Sequence, residues 1–285
     1  MMTDTYTLNN GIKIPKIGFG TWLIEENDKA RQAVKTALQT GYRLVDTAEA
    51  YGNEVGVGQG IRESGVDRSQ IFVVTKLRAE FKNYKEAAAA IQKSLSDLGL
   101  EYIDLMIIHS PKPWDKFDQE DRYLKGNLET WKALEEAYEA GKIKAIGVSN
   151  FEQEDLKNLL DNVKIKPMVN QILAHIGHMP LDLIKFSQDN NILVQAYSPF
   201  SHGDMFSNQE IKTIADKYSV SISQLALRYL LQFNLLPIAK SSNIEHMTNN
   251  IKLDFEIDDT DVQALTNLKT WKYSSDSQVY PVYKK

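Results

Sequence analysis

The sequence contains no cysteine. This absence excludes disulfide bonds, thiolate zinc sites and cysteine nucleophiles, and it is typical of proteins in a reducing compartment. Long apolar runs are also missing, and residues 1–10 lack the apolar core of a signal peptide. We therefore expect a cytoplasmic protein with no membrane partner.

Basic residues are too few and too scattered to form a nucleic-acid surface. The chain has 33 lysines and arginines against 38 acidic residues, so its formal net charge is -5, and no long basic run occurs. The composition, 42% hydrophobic and 25% charged, is typical of a water-soluble globular protein with a substantial core. We expect no nucleic-acid partner, and a monomer.

Short apolar segments alternate with longer amphipathic ones along the whole chain. Several of the short segments are continuously apolar, as strands buried on both faces are. The predicted strands are Ile17–Gly18, Leu44–Asp46, Phe72–Lys76, Leu105–His109, Ala145–Ser149, Met168–Gln171, Leu193–Tyr197 and Leu236–Ala239. The amphipathic segments predict helices at Asp28–Gln39, Tyr84–Leu98, Leu128–Ala140, Gln153–Asp161 and Ile222–Gln232.

Strand–helix alternation predicts a parallel sheet, and eight evenly spread strands favour a closed (β/α)₈ TIM barrel of the α/β class. Residues 6–14, with Asn9-Asn10-Gly11 at their centre, predict a β-hairpin that closes the bottom of the barrel. No linker or repeat divides the chain, so we expect one domain over residues 1–285.

Three polar residues end three consecutive predicted strands. Asp46, Lys76 and His109 hold these positions, and Tyr51 lies in the loop after the first of them. Active sites of such barrels lie at the carboxyl ends of the strands. A tyrosine hydroxyl can serve as an acid, a nearby ammonium lowers its pKa, and a carboxylate orients that ammonium. A histidine beside them can bond a substrate oxygen.

Three segments, in order, resemble the signatures of the aldo-keto reductase family. They are 41–54 (GYRLVDTAEAYGNE), 147–151 (GVSNF) and 237–241 (PIAKS), the last with alanine where the family usually has proline. The resemblance covers nearly the whole chain. Within the family, the chain resembles the prokaryotic diketogluconate and methylglyoxal reductase-like branch. It implies reduction of an aldehyde or ketone to an alcohol by NADPH.

The resemblance also implies residue roles. The catalytic tetrad would be Asp46, Tyr51, Lys76 and His109, with Tyr51 as general acid. The cofactor would lie against Trp22, Ser149, Asn150, Gln171, Tyr197, Ser198, Pro199, Phe200, Ser201, Lys240, Ser241, Ser242, His246, Asn249 and Asn250. Among these, the family places the carboxamide on 149, 150 and 171, the ring on 197, the pyrophosphate on 198–201 and the 2′-phosphate on 240 and 241.

Two positions depart from the family around the substrate. Arg78 and Ser110 stand where many relatives have tryptophan, whereas Trp22 is retained and Trp114 is expected to enter from the next loop. We take all four as substrate residues and expect small polar or anionic carbonyl substrates, with Arg78 pointing to solvent as the alternative.

Two further departures concern the cofactor. His246 stands where relatives that prefer NADPH have arginine, and Asn249 replaces the usual glutamate before Asn250. Imidazole lacks the bidentate fork of a guanidinium. We expect NADPH to be preferred and NADH to be accepted.

Other patterns leave alternatives. The glycines of 56–60 fit no phosphate-binding motif and are better explained by a helix. His175 and His178 have a metal-like spacing but no matching ligands, so we expect no metal.

The C-terminal aromatics Trp271, Tyr273, Tyr280 and Tyr283 either pack or line the pocket. A cofactor-binding regulatory subunit is the rival to an enzyme.

Overall fold

The computed structural model describes residues 4–268, 278 and 281–283, and its first element is an antiparallel hairpin. Strand β1 (Thr5–Thr7) pairs with β2 (Lys13–Pro15), and Tyr6 lies opposite Ile14. The turn uses Gly11 at a φ of 86°, a conformation that favours glycine. The predicted hairpin is confirmed.

Eight further strands form a closed parallel barrel, which confirms the predicted fold class. Around the barrel the order is β10-β3-β4-β5-β6-β7-β8-β9. The strands are β3 (Gly18–Gly20), β4 (Leu44–Asp46), β5 (Phe72–Leu77), β6 (Leu105–Ile108), β7 (Ile146–Ser149), β8 (Val169–Leu173), β9 (Leu193–Tyr197) and β10 (Leu236–Ala239).

The hairpin covers the amino-terminal end of this barrel. The Tyr6 hydroxyl donates to the carbonyl of Leu235, and the Asn10 amide donates to the carbonyl of Lys144. Both carbonyls come shortly before a barrel strand, so these bonds tie the hairpin to the strand starts. The hairpin does not cover the opposite end of the barrel, where the strands end and where we expect the active site.

Helices surround the barrel and bury one stripe each. They are α1 (Asn27–Thr40), α2 (Glu54–Glu63), α3 (Tyr84–Leu98), α4 (Leu124–Glu139), α5 (Gln153–Asn162), α6 (Leu181–Asp189), α7 (Gln209–Lys217), α8 (Ile222–Gln232), α9 (Ile244–Asn250) and α10 (Asp259–Thr266). Within the described part of the chain, no helix is both long and apolar enough to cross a bilayer.

The core lies inside the barrel and between its wall and the helices. All six residues of β5 are buried, which explains why this strand reads as a continuous run without polar alternation. Residues 56–60 lie in α2, as the helical interpretation predicts. There Gly58 faces the Leu98 carbonyl so closely that a Cβ would lie 1.9 Å from its oxygen.

Candidate active site

The strand register brings three predicted residues to one rim of the barrel. Asp46 pairs with Val74 on β5, and Lys76 pairs with Ile107 on β6. Because side chains alternate along a strand, Lys76 shares the face of Val74, and His109 continues the face of Ile107. Asp46, Lys76 and His109 therefore point toward the same space at the carboxyl ends of their strands.

Lys76 stands at the centre of this group. Its ammonium donates to Asp46 Oδ1 at 2.5 Å, to the Thr47 carbonyl at 2.8 Å and to the Tyr51 hydroxyl at 3.4 Å. Burial lowers the pKa of Lys76, and the Asp46 carboxylate acts in the opposite direction. The ammonium thus donates one hydrogen bond to the Asp46 carboxylate and another to the Tyr51 oxygen.

Tyr51 reaches this group from a 3-10 turn, Glu49–Tyr51, which follows β4. Burial raises the pKa of Tyr51 well above its ordinary value, and the charge of Asp46 acts in the same direction. Burial outweighs the lowering of this pKa expected from Lys76, and the Asp46 carboxylate, 2.5 Å from the ammonium, offsets part of the Lys76 charge. Tyr51 stays protonated and able to act as an acid.

His109 lies edge-on to the Tyr51 ring, with the ring centroids 5.7 Å apart. Burial lowers the pKa of His109 well below its ordinary value, and Lys76 and Arg78 add to that effect. Its Nδ1 is buried and has no hydrogen-bond partner among the described residues. The imidazole is therefore neutral at physiological pH, and it can bond a ligand oxygen as a neutral group.

A cavity of about 750 Å³ opens over these groups. Its walls are mostly aromatic and apolar, with polar groups concentrated at the strand ends. The lining residues are Gly20, Trp22, Leu23, Asp46, Ala50, Tyr51, His109, Trp114, Ser149, Asn150, Gln171, Tyr197, Ser198, Pro199, Phe200, His202, Gly203, Phe206, Ile238, Lys240, Pro281, Val282 and Tyr283.

Four predicted cofactor residues form one hydrogen-bonded group on β7, β8 and β9. The Tyr197 hydroxyl donates to Asn150 Oδ1 at 2.7 Å, and the Asn150 amide donates to Ser149 Oγ at 3.0 Å. Ser149 in turn donates to the Gln171 carbonyl at 2.8 Å. The Gln171 amide donates to Asp46 Oδ2 at 2.8 Å, so this group is connected to the tetrad.

The other predicted cofactor residues extend away from the tetrad. Ser198, Pro199, Phe200 and Lys240 line the cavity, whereas Ser201 is buried behind it. Beyond Lys240, the Ser241 side chain accepts from the Asn243 N–H, and Ser242 and His246 are exposed nearby. Asn249 borders a second cavity of about 360 Å³. Asn250 is buried and bonds the Tyr42 side chain.

The donor set of the cavity fits a nicotinamide dinucleotide. Amide and hydroxyl groups suit a carboxamide, the Tyr197 ring offers a flat aromatic surface, and the Lys240 cation lies at the end toward α9. A cavity of about 750 Å³ is within the size range of small-molecule and cofactor sites.

The predicted substrate residues divide into two pairs. Trp22 and Trp114 line the cavity, and Trp114 lies edge-on to His109 with centroids 5.3 Å apart. Arg78 and Ser110 are not among the lining residues. The Arg78 side chain is 47% exposed and pairs with Glu49 at 3.5 Å. Ser110 is buried, and its Oγ accepts from the Lys112 N–H.

Some lining residues carried no sequence signal. Leu23, His202 and Phe206 belong to loops with no periodic pattern or motif, and a fold was needed to place them beside the tetrad. Among the C-terminal aromatics, Tyr283 lines the cavity. The other three, at positions 271, 273 and 280, lie outside the described residues.

Comparison with known proteins agrees with this geometry. The model of the "Aldo/keto reductase family" matches residues 16–270. A glyoxal reductase of Bacillus subtilis is 38% identical over 94% of this chain and 93% of its own length. An NAD(P)H-dependent D-xylose reductase of Candida tropicalis is 36% identical over 93% of this chain and 92% of its own. The crystal structure of a Bombyx mori aldo-keto reductase in complex with NADP has a TM-score of 0.86 and 35% identity, and it covers 99% of both chains.

Proposed function

The chain belongs to the aldo/keto reductase family, and we propose that it reduces aldehydes or ketones to alcohols with NADPH, with Tyr51 as the proton donor. One observation carries the assignment of Tyr51. Tyr51 lines the cavity, and its hydroxyl accepts from Lys76, which also donates to Asp46. All four positions of the tetrad are filled, which favours an enzyme over a cofactor-binding regulatory subunit.

Several groups would hold the cofactor. Ser149, Asn150 and Gln171 suit the carboxamide, Tyr197 suits the ring, and Lys240 suits a phosphate. The solved Bombyx mori relative is a complex with NADP, and that supports the assignment. When bound, NADPH supplies the two-electron reduction of the carbonyl carbon. The protein orients the cofactor and the substrate and supplies the electrostatic environment of the reaction.

The proton comes from the chain itself. As negative charge develops on the carbonyl oxygen, Tyr51 transfers its hydroxyl proton to that oxygen. The resulting phenolate lies 3.4 Å from the Lys76 ammonium, which stabilises it. His109 stays neutral and bonds the same oxygen, which fixes the carbonyl between the two rings.

The proposed substrate class has support from one relative and from the charge of Arg78. We propose small polar or anionic carbonyls, and the glyoxal reductase relative supports a compact substrate. Trp22 and Trp114 border the space left beside the tetrad. Arg78 favours an anionic substrate only through its charge at a distance, because it lies outside the lining and pairs with Glu49.

An assay with a panel of carbonyls tests this function. We expect loss of NADPH absorbance with small aldehydes, dicarbonyls and keto acids, and slower loss with bulky aromatic ketones. Tight NADPH binding without turnover on any carbonyl would instead indicate a cofactor-binding regulatory subunit. Equal rates with bulky and compact carbonyls would refute the substrate class alone.

A further inference from the structure

Tyr283 joins parts of the cavity that lie far apart in the sequence. Its side chain is 3% exposed and packs with Leu173, and Trp22, Tyr197 and Val282 pack against that pair. Leu173 ends β8 and Tyr197 ends β9. The ring of Tyr283 is therefore anchored on the rim of the barrel itself.

From this anchored position Tyr283 contacts residues 198–203, the loop after β9. Its hydroxyl lies 2.6 Å from Ser198 Oγ, and either oxygen can be the donor. Its ring lies edge-on to His202, with centroids 4.5 Å apart and planes at 88°. His202 also lies edge-on to Trp22 at 5.2 Å. One aromatic residue thus bonds the start of the loop and packs against its far side.

The backbone of this loop needs such support. Ser198, Ser201 and His202 have φ values of 51°, 47° and 54°, in the left-handed region that residues other than glycine rarely adopt. Conformations of this kind persist only where surrounding contacts fix them. Backbone bonds from Ser201 to Ser198 and from Gly203 to Phe200 close the turn internally. Tyr283 adds the contacts that connect it to the barrel.

We propose that Tyr283 is a positioning residue that holds the loop 198–203 in the conformation that binds the pyrophosphate of NADPH. The inference rests on the proposed function, since it assumes that this loop receives the cofactor. A serine hydroxyl both donates and accepts, so Ser198 can keep its bond to Tyr283 while it donates to a phosphate oxygen. Tyr283 then sets how long the cofactor stays bound.

The variant Tyr283→Phe tests this, because it keeps the ring and removes the hydroxyl. The dissociation rate of NADPH is measured by mixing the preformed complex with excess NADP⁺ and following NADPH fluorescence. The net contribution of one neutral hydrogen bond corresponds to about a three- to tenfold change in an equilibrium constant. We expect dissociation to accelerate by about that factor.

Ser198→Ala removes the same bond from the other side together with the donation from Ser198 to the phosphate, so it should accelerate NADPH release at least as much as Tyr283→Phe does. If the bond acts as proposed, the double variant releases NADPH no faster than the faster single variant. Independent, multiplicative effects of the two substitutions would overturn the pairing.

Tyr229→Phe is a matched control. The Tyr229 hydroxyl lies 2.8 Å from Thr266 Oγ1, and the residue is fully buried in α8, away from the cavity. We expect its loss to leave NADPH dissociation unchanged. Dissociation from Tyr283→Phe at the unmodified or a slower rate would overturn the inference. Failure of the unmodified protein to bind NADPH would overturn the proposed function and this inference with it.

Discussion

Lys76 Nζ and Asp46 Oδ1 lie 2.5 Å apart, and their side chains are 1% and 5% exposed. A buried ion pair of this kind contributes little net stability, but each charge depends on the other because neither reaches water. The Gln171 amide bonds the second oxygen of Asp46, so the pair is also the point where the tetrad meets the cofactor residues. Substitution of Lys76 or Asp46 should therefore change both the free energy of unfolding and the rate of carbonyl reduction, and the two effects can be separated.

Lys76→Met should show this separation. It leaves the Asp46 carboxylate buried without its cation, and such a change costs about 3–5 kcal/mol of unfolding free energy. Adding Asp46→Asn removes the stranded charge and should restore part of that stability without restoring carbonyl reduction. Urea unfolding and turnover, measured on both variants, check the prediction. A double variant that is less stable than the single one would contradict it.

Tyr51→Phe should abolish the chemistry and spare the binding. The variant keeps the ring and loses the proposed proton donor, so turnover should fall by roughly 10²–10⁴-fold. NADPH affinity, measured by fluorescence titration, should stay within about threefold of the value for the unmodified protein. That is about the smallest change in a binding constant expected from the loss of one hydrogen bond. Near-normal turnover would mean that another group protonates the carbonyl.

The pH profile of kcat/KM should be flat across the neutral range. Burial raises the pKa of Tyr51 above 10.0, so the acid keeps its proton at every pH below that. Burial lowers the pKa of His109 below 6.5, so the imidazole stays neutral at every pH above that. We therefore expect a plateau from about pH 6.5 to 10. A midpoint near neutrality that survives a change of substrate would show that one of these groups titrates there.

The cofactor preference should be moderate and easily strengthened. His246 lies exposed on α9, at the position where the family resemblance places arginine in relatives that prefer NADPH. A charge-assisted bond is worth about 1.5–3 kcal/mol, so His246→Arg should raise the ratio of kcat/KM for NADPH over NADH by roughly ten- to a hundredfold. An unmodified ratio that is already very large, and that His246→Arg does not raise, would refute the weakened binding of the 2′-phosphate.

Arg78→Ala should reveal whether its charge reaches the substrate. If it does, kcat/KM should fall for an anionic keto acid and change little for a neutral aldehyde of similar size. Exposed charges act weakly at a distance, so the expected difference is only about two- to fivefold and should shrink as salt is added. Equal effects on both substrates would show that the Glu49 pair supports the Tyr51 turn and does not select substrates.

The sequence predicts the barrel well because its signals are local. The bounds of β4, β9, β10, α3 and α8 agree with the structure, since buried apolar runs and amphipathic stripes mark them directly. The predicted helices do not include α6, α7 and α10, which have only eight or nine residues each. The positions of Lys76 and His109 at the ends of strands could be predicted as well, because the apolar runs that mark the strands end at these residues.

The walls of the cavity could not be predicted in the same way. Arg78 and Ser110 follow strands, yet one turns to Glu49 and the other is buried beneath its own loop. His202 reaches the cavity through a backbone conformation that no local pattern favours. His202 packs there against Tyr283, a residue distant in the sequence, and this contact depends on the completed barrel.

The closeness of α2 to α3 restricts how this protein can change over time. Glu54, at the start of α2, follows the Tyr51 turn by three residues, and a Cβ at Gly58 would overlap the Leu98 carbonyl oxygen at 1.9 Å. A larger residue at that point would push the helix outward and carry Tyr51 with it. Selection or directed evolution could therefore vary the loops that line the cavity, while this helix face, which does not line it, accepts almost no variation.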